Sequence, residues 1–260
     1  MSKPSAYIVI PARYQSSRFP GKPLTTISGK TLLERVWCLA TASKLATQVI
    51  VATDDNRIFA HAKSFGAEVL MTPESCRNGT ERVYATTCDF AQSDDIVLSL
   101  QGDAVLTPPW IIDNLIQSLI DNPKSGIATP AQKMTGQAIE DFLAHKTVSP
   151  SSGTCVVFDK NYQALYFSKQ VIPYAHGTPT LLYRHIGLYA YKFAALEQLQ
   201  ALPPSPLEQT EKLEQLRALE NNIAIQVVPV DYQGRTHGSI DTPEDVAFVE
   251  NIIKREGELV

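Results

Sequence analysis

The chain has 260 residues, 44% hydrophobic and 19% charged, a globular balance that excludes extensive disorder and allows a large core. Its formal net charge of −4 and pI near 5.8 argue against a nucleic-acid partner. The apolar runs (YIVI, VIVA, DIVLSL) are far shorter than the roughly 20 residues of a membrane span, no secretion signal is evident, and the four cysteines form no C-x-x-C pair; the expectation is a cytoplasmic protein without membrane contact, zinc knuckle or disulfide framework.

The first 130 residues alternate two periods. Short Val/Ile-rich runs at 7–10, 49–53, 68–71 and 95–100 read as strands. Between them lie helix-period segments at 31–44 and 56–65, the latter stopped at Gly66, and a third helix follows Pro108-Pro109. Such alternation predicts an α/β fold with a mostly parallel, mixed sheet flanked by helices. From 125 to 192 the pattern changes to strands at 126–131, 153–158, 164–167 and 183–191, with few helices. This stretch reads as a smaller antiparallel extension of a single domain spanning 1–260, suited to substrate binding and dimerisation. Helices at 194–201 and 207–220, a strand at 223–229 and a last helix from Pro243 complete the chain.

The loop after the first strand, PARYQSSRFPGKPL, carries the strongest signal. Residues 11–35 hold five basic side chains (Arg13, Arg18, Lys22, Lys30, Arg35) against Glu34 alone, a local excess of +4 on an acidic chain. Gly21 permits close passage of a ligand, Pro20 and Pro23 stiffen the loop, and Ser16-Ser17 adds hydroxyls. A positive loop at the carboxyl end of a first strand is where α/β sheets bind anions, and a polyphosphate fits. Neither a Walker loop nor a G-x-G-x-x-G turn is present.

Two aspartates at strand ends give the second signal. Asp103 ends LSLQGD and Asp241 stands in IDTPED. Each alone has a plain reading, as a turn residue and a helix N-cap respectively. With a phosphate loop, the pair suggests Mg²⁺, which draws its other ligands from water and substrate phosphates.

In order, PARYQSSRFPGKPL, VATDD, NGTER, LSLQGD, ALYFSK, RHIGLYAY, LEQTEKLEQLRALE and IDTPED resemble the 3-deoxy-manno-octulosonate cytidylyltransferases (CMP-Kdo synthetases) over residues 6–253. The resemblance implies a nucleotide-diphospho-sugar-transferase fold and a homodimer. It also implies a Mg²⁺-dependent reaction of CTP with an acidic octulosonate sugar, giving CMP-sugar and pyrophosphate for lipopolysaccharide or capsule synthesis. It assigns Pro11, Ala12, Arg13, Lys22, Gly79, Thr80, Arg82 and Gln101 to the nucleotide, with Glu81 completing the GTER motif, and Asp103 and Asp241 to the metal. Lys22, Asp103 and Asp241 become the catalytic set. Lys169, His185, Tyr189, Glu214 and Gln215 fall on the sugar side. Catalysis would rest on positioning and charge neutralisation, with no side-chain general base strictly required.

The sequence departs from the family pattern in places. Ala104-Val105 follow the QGD motif where Glu-Pro or Gln-Pro is usual, and Cys76-Arg77-Asn78 precede GTER. Lys169 replaces an arginine suited to a sugar carboxylate, keeping the charge but losing the bidentate fork. The segment Ile172-Pro173-Tyr174-Ala175-His176-Gly177 lacks the arginine usual shortly after the proline. A different acid acceptor, or a CTP-binding protein without catalysis, is the alternative reading.

Overall fold

The computed structural model describes residues 3–16 and 18–260. In chain order its strands and helices are β1 (Ala6–Ala12), β2 (Thr26–Ile27), β3 (Lys30–Thr31), α1 (Leu32–Thr41), β4 (Gln48–Thr53), α2 (Asn56–Ser64), β5 (Glu68–Met71), α3 (Gly79–Thr87), β6 (Ile96–Ser99) and α4 (Pro109–Asp121). Then come β7 (Ile127–Met134), α5 (Gln137–Val148), β8 (Thr154–Phe158), β9 (Ala164–Ser168), β10 (Leu182–His185), β11 (Tyr189–Lys192), α6 (Phe193–Ala201), α7 (Pro206–Glu211), α8 (Gln215–Glu220), β12 (Ile225–Val230) and α9 (Glu244–Glu256). One ten-stranded sheet runs β5-β4-β1-β6-β11-β7-β10-β8-β9, with β12 also pairing β7.

The sheet changes character midway. β5, β4, β1 and β6 pair in parallel, as does β12 with β7. Pairs involving β8, β9, β10 and β11 are antiparallel. The central parallel strands β1 and β6 are buried on both faces, which is why they read as unbroken apolar runs, whereas β5 at the edge is largely exposed. β1 lies between β4 and β6, so chain connections diverge on either side of it and leave a crevice at its carboxyl end. One core cluster joins Ile8, Ile10, Leu98 and Leu100 to α1, α2, α4 and α9. A second packs Val9, Val97 and Phe167 against α6 and α8.

Several local expectations need correction. The run 183–191 is two strands: β10 and β11 both follow β7, but Ile186–Leu188 leave the ladder between them, where the Thr129 hydroxyl donates to Leu188 O at 2.8 Å. The helix at 207–220 is broken by Lys212 in the left-handed region, φ 54°. Helices α3 and α5 gave no periodic signal. The face α3 buries includes Thr80, Arg82, Thr86 and Thr87, so polar side chains occupy positions where apolar ones are sought. In α5 only Ile139 and Phe142 are buried, too few for an apolar stripe.

The departure at Ala104-Val105 has a packing explanation. Val105 and Leu106 are buried beside Ile111, Ile112 and Ile240, and Ala104 packs against the same cluster. The turn after Asp103 is thereby plugged into the core.

Candidate active site

The first loop is closed at its base by Gly21 N–H donating to Tyr14 O at 2.8 Å. Gly21 has φ 73°, and an added Cβ would lie 3.3 Å from the Tyr14 ring, so both turn and space require glycine. The outer face of that ring carries the Arg57 guanidinium at 3.3 Å. Ser16 Oγ accepts from Phe19 N–H at 3.3 Å; Ser17 lies outside the described residues.

This closure sends Lys22 inward. Its ammonium donates to Asp103 Oδ2 and to Ile240 O, both at 2.8 Å. Asp103 O accepts weakly from Ile240 N–H at 3.4 Å, so the β6 end and the segment before α9 are held together. Arg18 reaches Asp241 Oδ1 at 2.9 Å. Thus Lys22, Asp103 and Asp241 converge from distant parts of the chain. Asp241 is not an N-cap: Pro243 holds that position of α9 without a side-chain cap bond, and Asp245 Oδ2 accepts from the Asp241 and Thr242 N–H groups, both at 2.8 Å. The Asp241 carboxylate itself is half-exposed and held by Arg18.

A cleft of about 170 Å³ opens over Lys22 and Asp103, lined also by Pro11, Ala12, Arg13, Gly79, Gln101 and Gly102; Asp241 is not on its wall. Close backbone approach shapes it. A Cβ on Gly102 would meet Pro11 O at 3.0 Å, and one on Gly79 would meet Gln101 Oε1 at 3.4 Å. Gln101 Nε2 donates to Ser99 Oγ at 3.2 Å. Arg13 donates to Cys76 O at 2.7 Å, linking the first loop to the segment before α3. Asn78 caps α3 by accepting from Glu81 N–H at 2.8 Å, and Glu81 is itself held by Arg77.

Arg82 is a correction. Its side chain is fully buried, 0% exposed, and has no surface to offer a ligand. One guanidinium nitrogen bonds Asp54 Oδ2 at 2.5 Å and another bonds Thr72 Oγ1. It braces the ends of β4 and β5, which carry the VATDD segment beside Arg13.

Of the residues that the resemblance assigns to the sugar, His185, Tyr189, Glu214 and Gln215 form a second group on the antiparallel half. Glu214 accepts from Thr80 Oγ1 at 2.6 Å, Asn78 Nδ2 at 3.2 Å and Arg217 at 3.1 Å, tying α8 to the start of α3. Gln215 is 5% exposed and its Nε2 is buried without a partner. His185 Nε2 meets Thr129 Oγ1 at 2.8 Å. Because that hydroxyl donates to Leu188 O, the network assigns the imidazole proton to Nε2 and leaves Nδ1 an acceptor. The ring packs on Phe167 and Tyr189 at 4.9 and 5.6 Å. Burial pushes the His185 pKa down to about 3, keeping it neutral. Burial, reinforced by the Glu214 charge, raises the Tyr189 pKa, so its phenol stays protonated.

Lys169 stands apart from that group: no hydrogen bond joins its side chain to His185, Tyr189, Glu214 or Gln215. Its backbone is fixed on both sides, N–H to Glu211 Oε2 at 3.0 Å and carbonyl to Lys146. The sequence gives no sign of Glu211; it marks Arg18 only as one basic residue of the first loop and Asn78 only within the NGTER run, not as partners of Asp241 and Glu214. Asn78 carries the local pattern of a helix cap ahead of the GTER run.

The residues present suit a hard divalent cation. Among the described residues no cluster of three or more His, Cys, Asp or Glu side chains forms a protein-only metal cage. Asp103 and Asp241 supply two carboxylates on adjoining segments, each already holding a side-chain cation. That donor set matches a metal whose remaining ligands are phosphate oxygens and water.

The cytidylyltransferase family model matches residues 7–225. The chain is 49% identical over 260 residues to the 3-deoxy-manno-octulosonate cytidylyltransferase of Maricaulis maris, covering 98% of this chain and 100% of that protein. This chain belongs to that family. It is 43% identical over 245 residues to the family member from Chlamydia trachomatis serovar L2, covering 94% and 92% of the two chains. A solved structure of CMP:2-keto-3-deoxy-manno-octonic acid synthetase complexed with CTP aligns with TM-score 0.87 and 33% identity, covering 97% of this chain and 99% of that one. A 4-diphosphocytidyl-2C-methyl-D-erythritol synthase, TM-score 0.62 at 14% identity, shares the fold.

Proposed function

We propose that this protein transfers the cytidylyl group of CTP to 3-deoxy-manno-octulosonate, releasing pyrophosphate. The observation that carries the reading is Lys22 held 2.8 Å from both Asp103 and Ile240 O at the floor of the cleft. The triphosphate lies along the first loop, where Arg13 and Lys22 face it; CTP binding draws Lys22 from Asp103 onto phosphate oxygens. Pro11, Ala12 and Gly79 offer backbone at close range, and Gln101 an amide. The sugar rests on the neutral His185, the Tyr189 phenol, Glu214 and the orphan amide of Gln215, which sugar hydroxyls would satisfy.

Two anions must meet for the anomeric hydroxyl to attack the α-phosphorus, so the work of this chain is alignment and charge compensation. Asp103 and Asp241 hold Mg²⁺ in this reading, and the bound metal would polarise the α-phosphate and acidify the attacking hydroxyl. Arg18 and Lys22 stand ready to neutralise the departing pyrophosphate.

The product would serve lipopolysaccharide or capsule synthesis, and the enzyme would be a cytoplasmic homodimer. Exposed Val148, Leu165, Tyr174 and Leu181, all in the antiparallel half, support assembly through that region. Pyrophosphate release with CTP and Mg²⁺ across 3-deoxy-2-ketoaldonic acids, their amino analogues and sialic acids tests the reading; silence on the whole panel overturns it. Lys169 favours a second reading, a different acid acceptor, which the same panel identifies by its best substrate.

A further inference from the structure

We propose that Asn78 is a positioning residue for the acid acceptor, holding the Glu214 carboxylate so that one acceptor position on Oε2 is left for the sugar; the inference rests on the cytidylyl-transfer reading above. Asn78 belongs to Cys76-Arg77-Asn78, one of the places where this sequence departs from the family pattern. Capping accounts for only half of its side chain. Its Oδ1 accepts from Glu81 N–H at 2.8 Å, as the cap of α3. Its Nδ2 donates to Glu214 Oε1 at 3.2 Å, across 136 positions of chain. A hydroxyl cap supplies the first bond and has no second arm for Glu214.

A carboxylate accepts about four hydrogen bonds, two at each oxygen. Glu214 Oε1 takes Asn78 Nδ2 at 3.2 Å and Arg217 Nη2 at 3.1 Å, and Oε2 takes Thr80 Oγ1 at 2.6 Å. Oε1 is therefore filled, and the position left over belongs to Oε2. The Glu214 side chain is 29% exposed, so that position is open to a ligand hydroxyl. Arg217 does not hold the carboxylate by itself. Its guanidinium is engaged by Glu208 at 2.7 and 2.8 Å, and it lies on the same short helix that Glu214 precedes. The bonds that fix Glu214 from another element come from Asn78 and Thr80, at the start of α3.

A carboxylate pinned with one open position favours acids that place a hydroxyl donor there and disfavours those that present an acceptor. The same segment also touches the triphosphate side: Cys76 O accepts from Arg13 at 2.7 Å. That bond is to backbone, so a change of the Asn78 side chain leaves Arg13 in place.

Steady-state pyrophosphate release with the best acid of the panel above, together with thermal melting of the full chain, tests this. Asn78→Ser keeps the cap and deletes the donor. Asn78→Asp keeps the cap and sets a carboxylate against Glu214. Asn78→Ala removes the cap as well. The serine variant should raise KM for the acid about tenfold, the loss of one hydrogen bond to a charged group, and the aspartate variant at least as much. In both, KM for CTP and kcat should stay within about twofold, since the lost contact serves ground state and transition state alike, and the melting temperature within about 2 °C. The alanine variant should in addition lower the melting temperature by about 3 °C. An unchanged acid KM in the serine and aspartate variants overturns the inference while cytidylyl transfer stands. Equal rises in the CTP and acid KM values overturn it in favour of a purely structural cap. A parent enzyme silent on the whole panel overturns the reading itself, and this inference with it.

Discussion

Asp103 is neutralised by Lys22 in the free protein and aimed into the cleft by a turn plugged into the core. Removing its charge while keeping its shape should therefore spare the fold and strike turnover: Asp103→Asn is expected to lower kcat for pyrophosphate release at least 100-fold, about 2.7 kcal/mol of transition-state stabilisation, with the melting temperature nearly unchanged. Arg82 acts by bracing. Arg82→Met leaves Asp54 without its buried partner and should cost about 3 kcal/mol in urea unfolding, with CTP affinity falling as the VATDD segment loosens. His185 makes stability depend on pH. Its folded pKa of about 3 lies below the ordinary value of 6.5, so the unfolded chain binds the extra proton between those limits. Its contribution is complete near pH 7 and is lost as pH falls from about 6.5 towards 3, at about 1.4 kcal/mol per unit. A His185→Gln variant should show a flatter stability profile across that window; an unchanged slope would mean that the ring is not held neutral.

Two elements owe their geometry to single backbone positions. The ends of β1 and β6 approach so closely that a Cβ on Gly102 would press Pro11 O at 3.0 Å. Gly102→Ala should raise the KM for CTP several-fold without unfolding the protein, measured by steady-state kinetics and circular dichroism. Between α7 and α8, Lys212 adopts a left-handed conformation that glycine takes without penalty. Lys212→Gly is expected to be neutral or up to about 1 kcal/mol stabilising, whereas Lys212→Val, β-branched at positive φ, should lower the melting temperature. The same position explains why a continuous leucine spacing over 207–220 misleads: Leu213, Leu216 and Leu219 all pack on the second core, but from a broken helix.

Across the whole molecule, the sheet divides the labour. Its parallel half presents the first loop and Asp103, with Asp241 brought beside that loop by the segment before α9 rather than by a strand end, and its antiparallel half presents His185 and Tyr189 beside α8. Glu214, bonded to Thr80 and Asn78, bridges the halves. Apolar side chains left exposed on the antiparallel half should seal against a second copy. Leu165→Asp combined with Tyr174→Asp is expected to shift sedimentation from dimer to monomer while CTP binding, which the proposed reading places on the parallel half, persists.

The sequence alone determined the α/β class, the parallel strands and the loop that carries Arg13 and Lys22, because these follow from local periodicity, charge and turn chemistry. Long motifs in fixed order fixed the family for the same reason: each is a contiguous run. Tertiary structure decided the rest. That Lys22 meets Asp103, that Arg18 holds Asp241, and that Arg82 is a buried strut all depend on contacts between segments far apart in the chain. Helix α3 escaped notice because its buried face is polar, satisfied by partners that only the folded chain supplies.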